Sequence, residues 1–200
     1  MNAPESLPDE DLLSRIASGD REAYAELYRR RHRDVFRFAL HMSASRSVAD
    51  DVTQDVFLAV IRAAGGFTRG RAVVPWLLGI ARNHVRRRAD RDRGLEPLPQ
   101  PGAPDERALA VDVDPDDTIA RAQRLDALRR ALRALPAAYR EAVVLCDLHE
   151  LSYADAAATL GCAIGTVRSR LHRGRALLAA RLRSGRADDV KGLPVTRWVV

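Results

Sequence analysis

The stretch from Leu95 to Asp117 most constrains what this chain can fold into. It holds five of the ten prolines (Pro97, Pro99, Pro101, Pro104, Pro115) and the acids Asp105, Glu106, Asp112, Asp114, Asp116 and Asp117 against a single Arg107. Proline removes backbone donors and the carboxylates repel one another, so the stretch can bury no core and is expected to be a flexible, acidic, proline-rich linker. Each side must then build its own core. This divides the 200 residues into a first domain at 1–94, the linker at 95–117, a second domain at 118–184 and a tail at 185–200 that has no period. Two small domains are in keeping with that length.

Both domains read as helical. In the first, Pro8 to Ser18 forms a short helix with Leu12, Leu13 and Ile16 inward, and Gly19-Asp20 breaks it. A long helix follows from Arg21 to about Met42, with Ala23, Leu27, Val35 and Leu40 inward and Arg29, Arg30, Arg31 and Arg33 on its outer face. Ser47, with Asp50 three residues on, is the expected cap of the next helix, whose buried stripe is Val48, Val52, Val56, Val60 and Ile61. Asp51, Gln54, Asp55 and Leu58 share another face at i, i+3, i+4 and i+7; by pattern alone it is a solvated acidic face. Gly65 to Arg71 is a loop containing Phe67, Arg69 and Arg71. Pro75 then fits the first turn of a helix whose apolar side is Trp76, Leu77, Ile80, Ala81 and Val85, and which ends in Arg82, Asn83, His84, Arg86, Arg87 and Arg88. An aromatic loop ahead of a run of arginines suits single-stranded DNA, while a solvated helix end is the plainer alternative.

The second domain carries Leu125, Leu128, Leu132 and Leu135 on one stripe, and Pro136 opens a helix containing Val143, Val144 and Leu148. Leu151 to Leu178 then reads as a helix-turn-helix. Ser152 and Asp155 have capping-box spacing, Gly161 suits a left-handed helix end, and Cys162 to Ile164 make the turn. Gly165-Thr166 opens a second helix with Val167, Leu171, Gly174 and Leu178 on one face and Thr166, Arg168, Ser169, Arg170, His172, Arg173 and Arg175 on the other. Seven arginines and no acid lie between Ile164 and Ala187, a pattern that favours DNA over a solvated face. The formal charge of +6 points the same way.

No strand pattern persists, so the fold class is all-α: two small helical domains, the second ending in a helix-turn-helix. Catalysis has no constellation here, and no cofactor or metal is expected; Cys146 and Cys162 read as small core residues. The start MNAPESLPDEDLL lacks a signal-peptide pattern and no apolar run suits a membrane span, so the expectation is a cytoplasmic protein without membrane insertion.

Four segments in order resemble the extracytoplasmic-function (ECF, group IV) sigma factors of bacterial RNA polymerase. They are GDREAYAELY (Gly19 to Tyr28), ADDVTQDVFLAV (Ala49 to Val60), PWLLGIARNHVRRR (Pro75 to Arg88), and LPAAYREAVVL (Leu135 to Leu145) followed by the helix-turn-helix. The resemblance implies roles. Asp51, Gln54, Asp55 and Leu58 match the surface that docks on the β′ subunit of core polymerase, which overturns the solvated-face reading. Asn83 matches a reader of an extruded −10 base, the loop Phe67 to Arg71 the wall of its pocket, and Arg86, Arg87 and Arg88 phosphate contacts. Thr166, Arg168, Ser169, His172 and Arg173 match the face on the −35 element. The implied protein is a non-catalytic initiation subunit, monomeric when free, whose partners are core RNA polymerase through its β′ and β subunits, promoter DNA and an anti-sigma factor. Ala156 and Ala163 depart from the family pattern without removing a DNA contact. The competing hypothesis is a stand-alone helix-turn-helix regulator, which would need tight operator binding without polymerase.

Overall fold

Asp20 fixes the first corner of the fold. Its side chain accepts hydrogen bonds from the backbone N–H groups of Glu22 and Ala23 at 2.9 and 3.0 Å, and its other oxygen receives Arg15 Nε at 2.8 Å. The Ala23 N–H and then the Arg15 guanidinium hold this carboxyl below its ordinary range. Gly19, at φ +87°, supplies the left-handed turn before it. Asp20 thereby ends α1 (Asp9–Ala17) and caps α2 (Arg21–Ser43).

The computed structural model describes residues 7–94 and 115–184, and no strand occurs among them. After α2 come α3 (Arg46–Ala63), a 3₁₀ turn (Ala64–Gly66) and α4 (Val73–Gly94). The second unit comprises α5 (Pro115–Arg133), α6 (Ala137–Val143) running into a π-helical turn (Val144–Leu148), α7 (Tyr153–Leu160) and α8 (Ile164–Ser184). Pro115, Asp116 and Asp117, read from sequence as linker, lie in the first turn of α5, where proline's fixed φ fits. The remaining linker expectation, at 95–114, and the tail at 185–200 lie outside the described residues.

In the first unit α2 packs against α1, α3 and α4 around Leu13, Leu27, Phe38, Phe57, Leu77 and Leu78, all essentially inaccessible to solvent. Each such side chain contributes about 1.5–3 kcal/mol of burial. In the second, Leu132, Val143, Leu145, Ala156, Val167 and Leu171 make the core. Gly174 sets the α6–α8 distance: a Cβ there would lie 2.7 Å from Val143 Cγ2 and 3.1 Å from the Tyr139 carbonyl oxygen.

Four expectations change. The cap of α3 is Ser45, whose hydroxyl accepts from the Val48 N–H at 3.4 Å; Ala44 takes the left-handed turn (φ 54°), so the helix starts before Ser47. Ile61 is 51% exposed because it lies a full helical step past Val60, and Ala49 and Phe57 fill the stripe instead. Leu125 is likewise exposed. Arg30 and Arg31 are not outward: Arg30 reaches Glu26, the Leu7 carbonyl and Asp9 at 2.5, 2.7 and 3.3 Å, and Arg31 reaches Asp9 at 2.5 Å, fastening α1 to α2.

The two units also pack on each other. Thr159 Oγ1 lies 2.9 Å from the Asp155 carbonyl of its own helix and 3.1 Å from the Pro75 carbonyl, so its one proton is shared between α7 and the head of α4. Arg140 donates to the Met42 carbonyl at 2.6 Å and to the carbonyls of Arg133 and Leu135 at 2.8 and 3.0 Å. Phe38 meets the His149 ring edge-on, centroids 5.8 Å apart.

Candidate nucleic-acid and polymerase interface

The helix-turn-helix forms as its sequence dictates. Ser152 Oγ accepts the Asp155 N–H at 3.1 Å and donates to the Asp155 carboxylate at 2.7 Å. Gly161, at φ 65°, ends α7, and the Ala163 carbonyl accepts from Thr166 and Val167, so α8 begins at Ile164, one residue before Gly165. Val167, Leu171, Gly174 and Leu178 are all buried. That fixes the rotation of α8 and turns Arg168, Ser169, His172 and Arg173 together to solvent, with Thr166 half-buried at the edge. The Arg168 guanidinium sits 5.8 Å from the centroid of the Tyr153 ring, a cation–π contact that steadies a long side chain. Sequence reasoning did not single out Tyr153. Arg175, placed from sequence on the basic face, instead forks onto Asp147 at 2.7 and 3.2 Å and ties α8 to the π-helical turn.

On α4, Trp76, Ile80, Asn83 and Arg87 follow one another at helical spacing. Phe67 packs edge-on against Trp76, centroids 5.3 Å apart, at the head of this stripe. Asn83, Arg86 and Arg87 are exposed. The loop before α4 is pinned to α1: Arg69 pairs with Asp11, and the Gly70 N–H donates to Glu10 at 3.0 Å, while Arg71 stays exposed.

Arg88 stands apart from its neighbours. Its two terminal nitrogens donate to Asp51 at 2.7 Å and Asp55 at 2.9 Å, and these bonds, that to Asp55 first, raise its pKa further. In this state it is turned onto α3 rather than toward a phosphate. Asp51, Gln54 and Leu58 are exposed on α3 and Asp55 is half-buried, with His84 Nδ1 3.6 Å from its carboxylate. Leu58 and Ile61, both about half exposed, add an apolar strip to this acidic face. A surface that mixes carboxylates with uncovered aliphatic side chains suits a protein partner.

A basic helix-turn-helix face in the second unit, and a basic helix beside an acidic–apolar face in the first, suit a DNA-binding subunit that works through a protein partner. The Sigma-70 region 2 model matches residues 27–94 and the Sigma-70, region 4 model matches residues 125–178. The chain is 41% identical over 171 residues to the ECF RNA polymerase sigma factor SigM of Mycobacterium tuberculosis, covering 86% of this chain and 83% of that one. It is 35% identical over 188 residues to the ECF RNA polymerase sigma factor SigC of the same species, covering 90% and 93%. Among solved structures it is similar to CnrH in complex with the cytosolic domain of CnrY (TM-score 0.65, 27% identity, 89% of this chain and 99% of that one). It is also similar to the sigma factor RpoE of Bartonella quintana in complex with the anti-sigma factor NepR (TM-score 0.64, 27% identity, 82% and 99%). The chain belongs to the ECF family of RNA polymerase sigma factors: it is an alternative, non-catalytic initiation subunit that directs promoter-specific transcription. No helix among the described residues is long and apolar enough to cross a membrane.

Proposed function

We propose that the two basic faces read the two promoter elements. On α8, Arg168, Ser169, His172 and Arg173, with Thr166 at the edge, enter the major groove of the −35 duplex, where Arg168 and Arg173 can pair bidentately with guanine. On α4, Asn83 reads an extruded −10 base against a pocket walled by Phe67, Arg69 and Arg71. Arg86 and Arg87 neutralise phosphates, and Arg88 joins them when it leaves Asp51 and Asp55. Extrusion costs a few kcal/mol, which the pocket and phosphate contacts offset. Asp51, Gln54, Asp55 and Leu58 dock on the β′ subunit, and the chain is monomeric when free. An anti-sigma factor is a further partner, supported by the similar sigma factor RpoE, solved in complex with the anti-sigma factor NepR.

The observation that carries this reading is the rotation of α8. Its apolar stripe is fully buried, so four DNA-competent side chains point outward together. The test is run-off transcription with bacterial core polymerase on a promoter taken from upstream of the protein's own gene. A discrete transcript is expected only when the protein is added. Loss of one good bidentate contact corresponds to ~1–3 kcal/mol, so Arg168→Ala is expected to lower transcription about 5- to 150-fold with core binding unchanged. Full activity of that variant would remove Arg168 from the reading face, and tight operator binding by the protein alone without a transcript would support a stand-alone regulator.

A further inference from the structure

The arginines of α8 are held in different ways. Arg175 forks onto Asp147 at 2.7 and 3.2 Å, so its N–H groups are committed to oxygens of the protein. Arg168 has a ring instead. Its Cζ lies over Tyr153, 5.8 Å from the centroid, while the side chain stays exposed. A ring face attracts the guanidinium charge but offers no carboxylate or carbonyl lone pair, so the N–H donors remain available to a ligand. No other arginine of α8 lies over an aromatic ring among the described residues.

Local sequence builds this platform. Ser152 caps α7, which makes Tyr153 its first residue. One turn further on, Ala156 and Ala157 are buried, and their small side chains let α7 approach the Val167 and Leu171 side of α8. Tyr153 therefore stands at the rim of that core, 38% exposed, where Arg168 emerges directly after Val167. A long exposed side chain samples many rotamers, and binding must fix one of them. Holding it beforehand removes part of that cost.

We propose that Tyr153 is a positioning residue for promoter recognition: its ring holds the Arg168 guanidinium in place in the free protein, with its donors free for a guanine edge in the −35 element. This role rests on the reading of α8 as the −35 helix, and it belongs to the ring, not to the hydroxyl. Because Tyr153 acts through Arg168, its removal is felt only where Arg168 is present, and only at the base pair that Arg168 reads.

Two measurements test it. In NMR spectra of the full free chain, the Nε–H and δ-methylene signals of Arg168 should lie upfield of their positions in Tyr153→Leu, through the ring current. Identical positions in the two proteins would overturn the platform. In run-off transcription at subsaturating holoenzyme, Tyr153→Leu should lower the transcript about 2- to 10-fold. Tyr153→Phe, which keeps the ring, should stay within about twofold of the parent. In an Arg168→Ala background Tyr153→Leu should add nothing, and the −35 substitutions that Arg168→Ala ceases to discriminate should be those that Tyr153→Leu discriminates less. A merely structural role would lower activity equally with and without Arg168. A phosphate contact from the hydroxyl would make Tyr153→Phe as weak as Tyr153→Leu. Either result overturns the positioning role. Loss of activity in Arg168→Ala with none in Tyr153→Leu would overturn positioning alone, whereas full activity of Arg168→Ala would overturn the −35 reading of Arg168 and the positioning role with it.

Discussion

Arg88 stands between two anions. In the free protein it bridges Asp51 and Asp55, carboxylates on the face assigned to polymerase docking, while Arg86 and Arg87 beside it remain in solvent. Its charge therefore competes with whatever cationic surface the partner brings. Asp51 is 58% exposed and Asp55 37%, and ion pairs in that setting are worth roughly 0.2–1 kcal/mol each. Arg88→Gln removes both pairs, about 0.4–2 kcal/mol together, and is accordingly expected to tighten core polymerase binding by about 2- to 30-fold, and Asp55→Asn to weaken it; titration with labelled core enzyme separates the two. Unchanged affinity in both would remove these carboxylates from the docking face. Spacing showed the acids and the arginines separately, and nothing in spacing tells that α4 lays one of its arginines across α3.

At the scale of the element, periodicity was most informative where one face of a helix meets a single neighbour. The four buried positions of α8, the Ser152–Asp155 cap and the Gly161 turn are all legible because each depends on residues within one or two turns. Leu125 and Ile61 were misplaced because an apolar residue at the border of a stripe does not reveal how wide the covering neighbour is. Gly174 shows the opposite case, a residue whose meaning lies across the interface. Gly174→Ala gains about 1 kcal/mol of helix propensity, but the new methyl would meet Val143 Cγ2 at 2.7 Å and the Tyr139 carbonyl at 3.1 Å. Overpacking of this kind costs ~1–3 kcal/mol. A net loss of about 1 kcal/mol is expected in urea denaturation, together with weaker −35 binding as α8 shifts on α6. A stabilised variant would show that α6 yields more easily than its backbone carbonyl suggests.

For the whole molecule, two helical units were legible from the helical periods on either side of the proline-rich stretch. That the units lean on one another was not legible: Glu141 and its ion-pair partner Arg82, with Thr159 and Pro75, belong to no shared period, and neither do the five histidines, His32, His41, His84, His149 and His172. The fold brings two of them to the same boundary, His41 on α2 and His149 after α6. Burial, first of all, pushes each down to about 4; Arg37 adds to both, and His149 and Arg129 add to His41. His41 Nδ1 and His149 Nε2 are buried without a hydrogen-bond partner, as neutral rings can be. In the unfolded chain each titrates near 6.5. Above that value neither state carries the proton, and the histidines add no pH dependence. Below it the unfolded chain binds protons that the folded chain does not, so stability falls from pH 6.5 down to about 4 and then levels. Thermal melting is therefore expected to be flat from about pH 7 to 8 and to decline below about 6.5. Carboxylates near their ordinary pKa of about 4 contribute only at the acid end, so the slope between about pH 6.5 and 5 isolates the imidazoles. His149→Gln should reduce that slope, and a variant with the parent's full slope would place the acid sensitivity elsewhere.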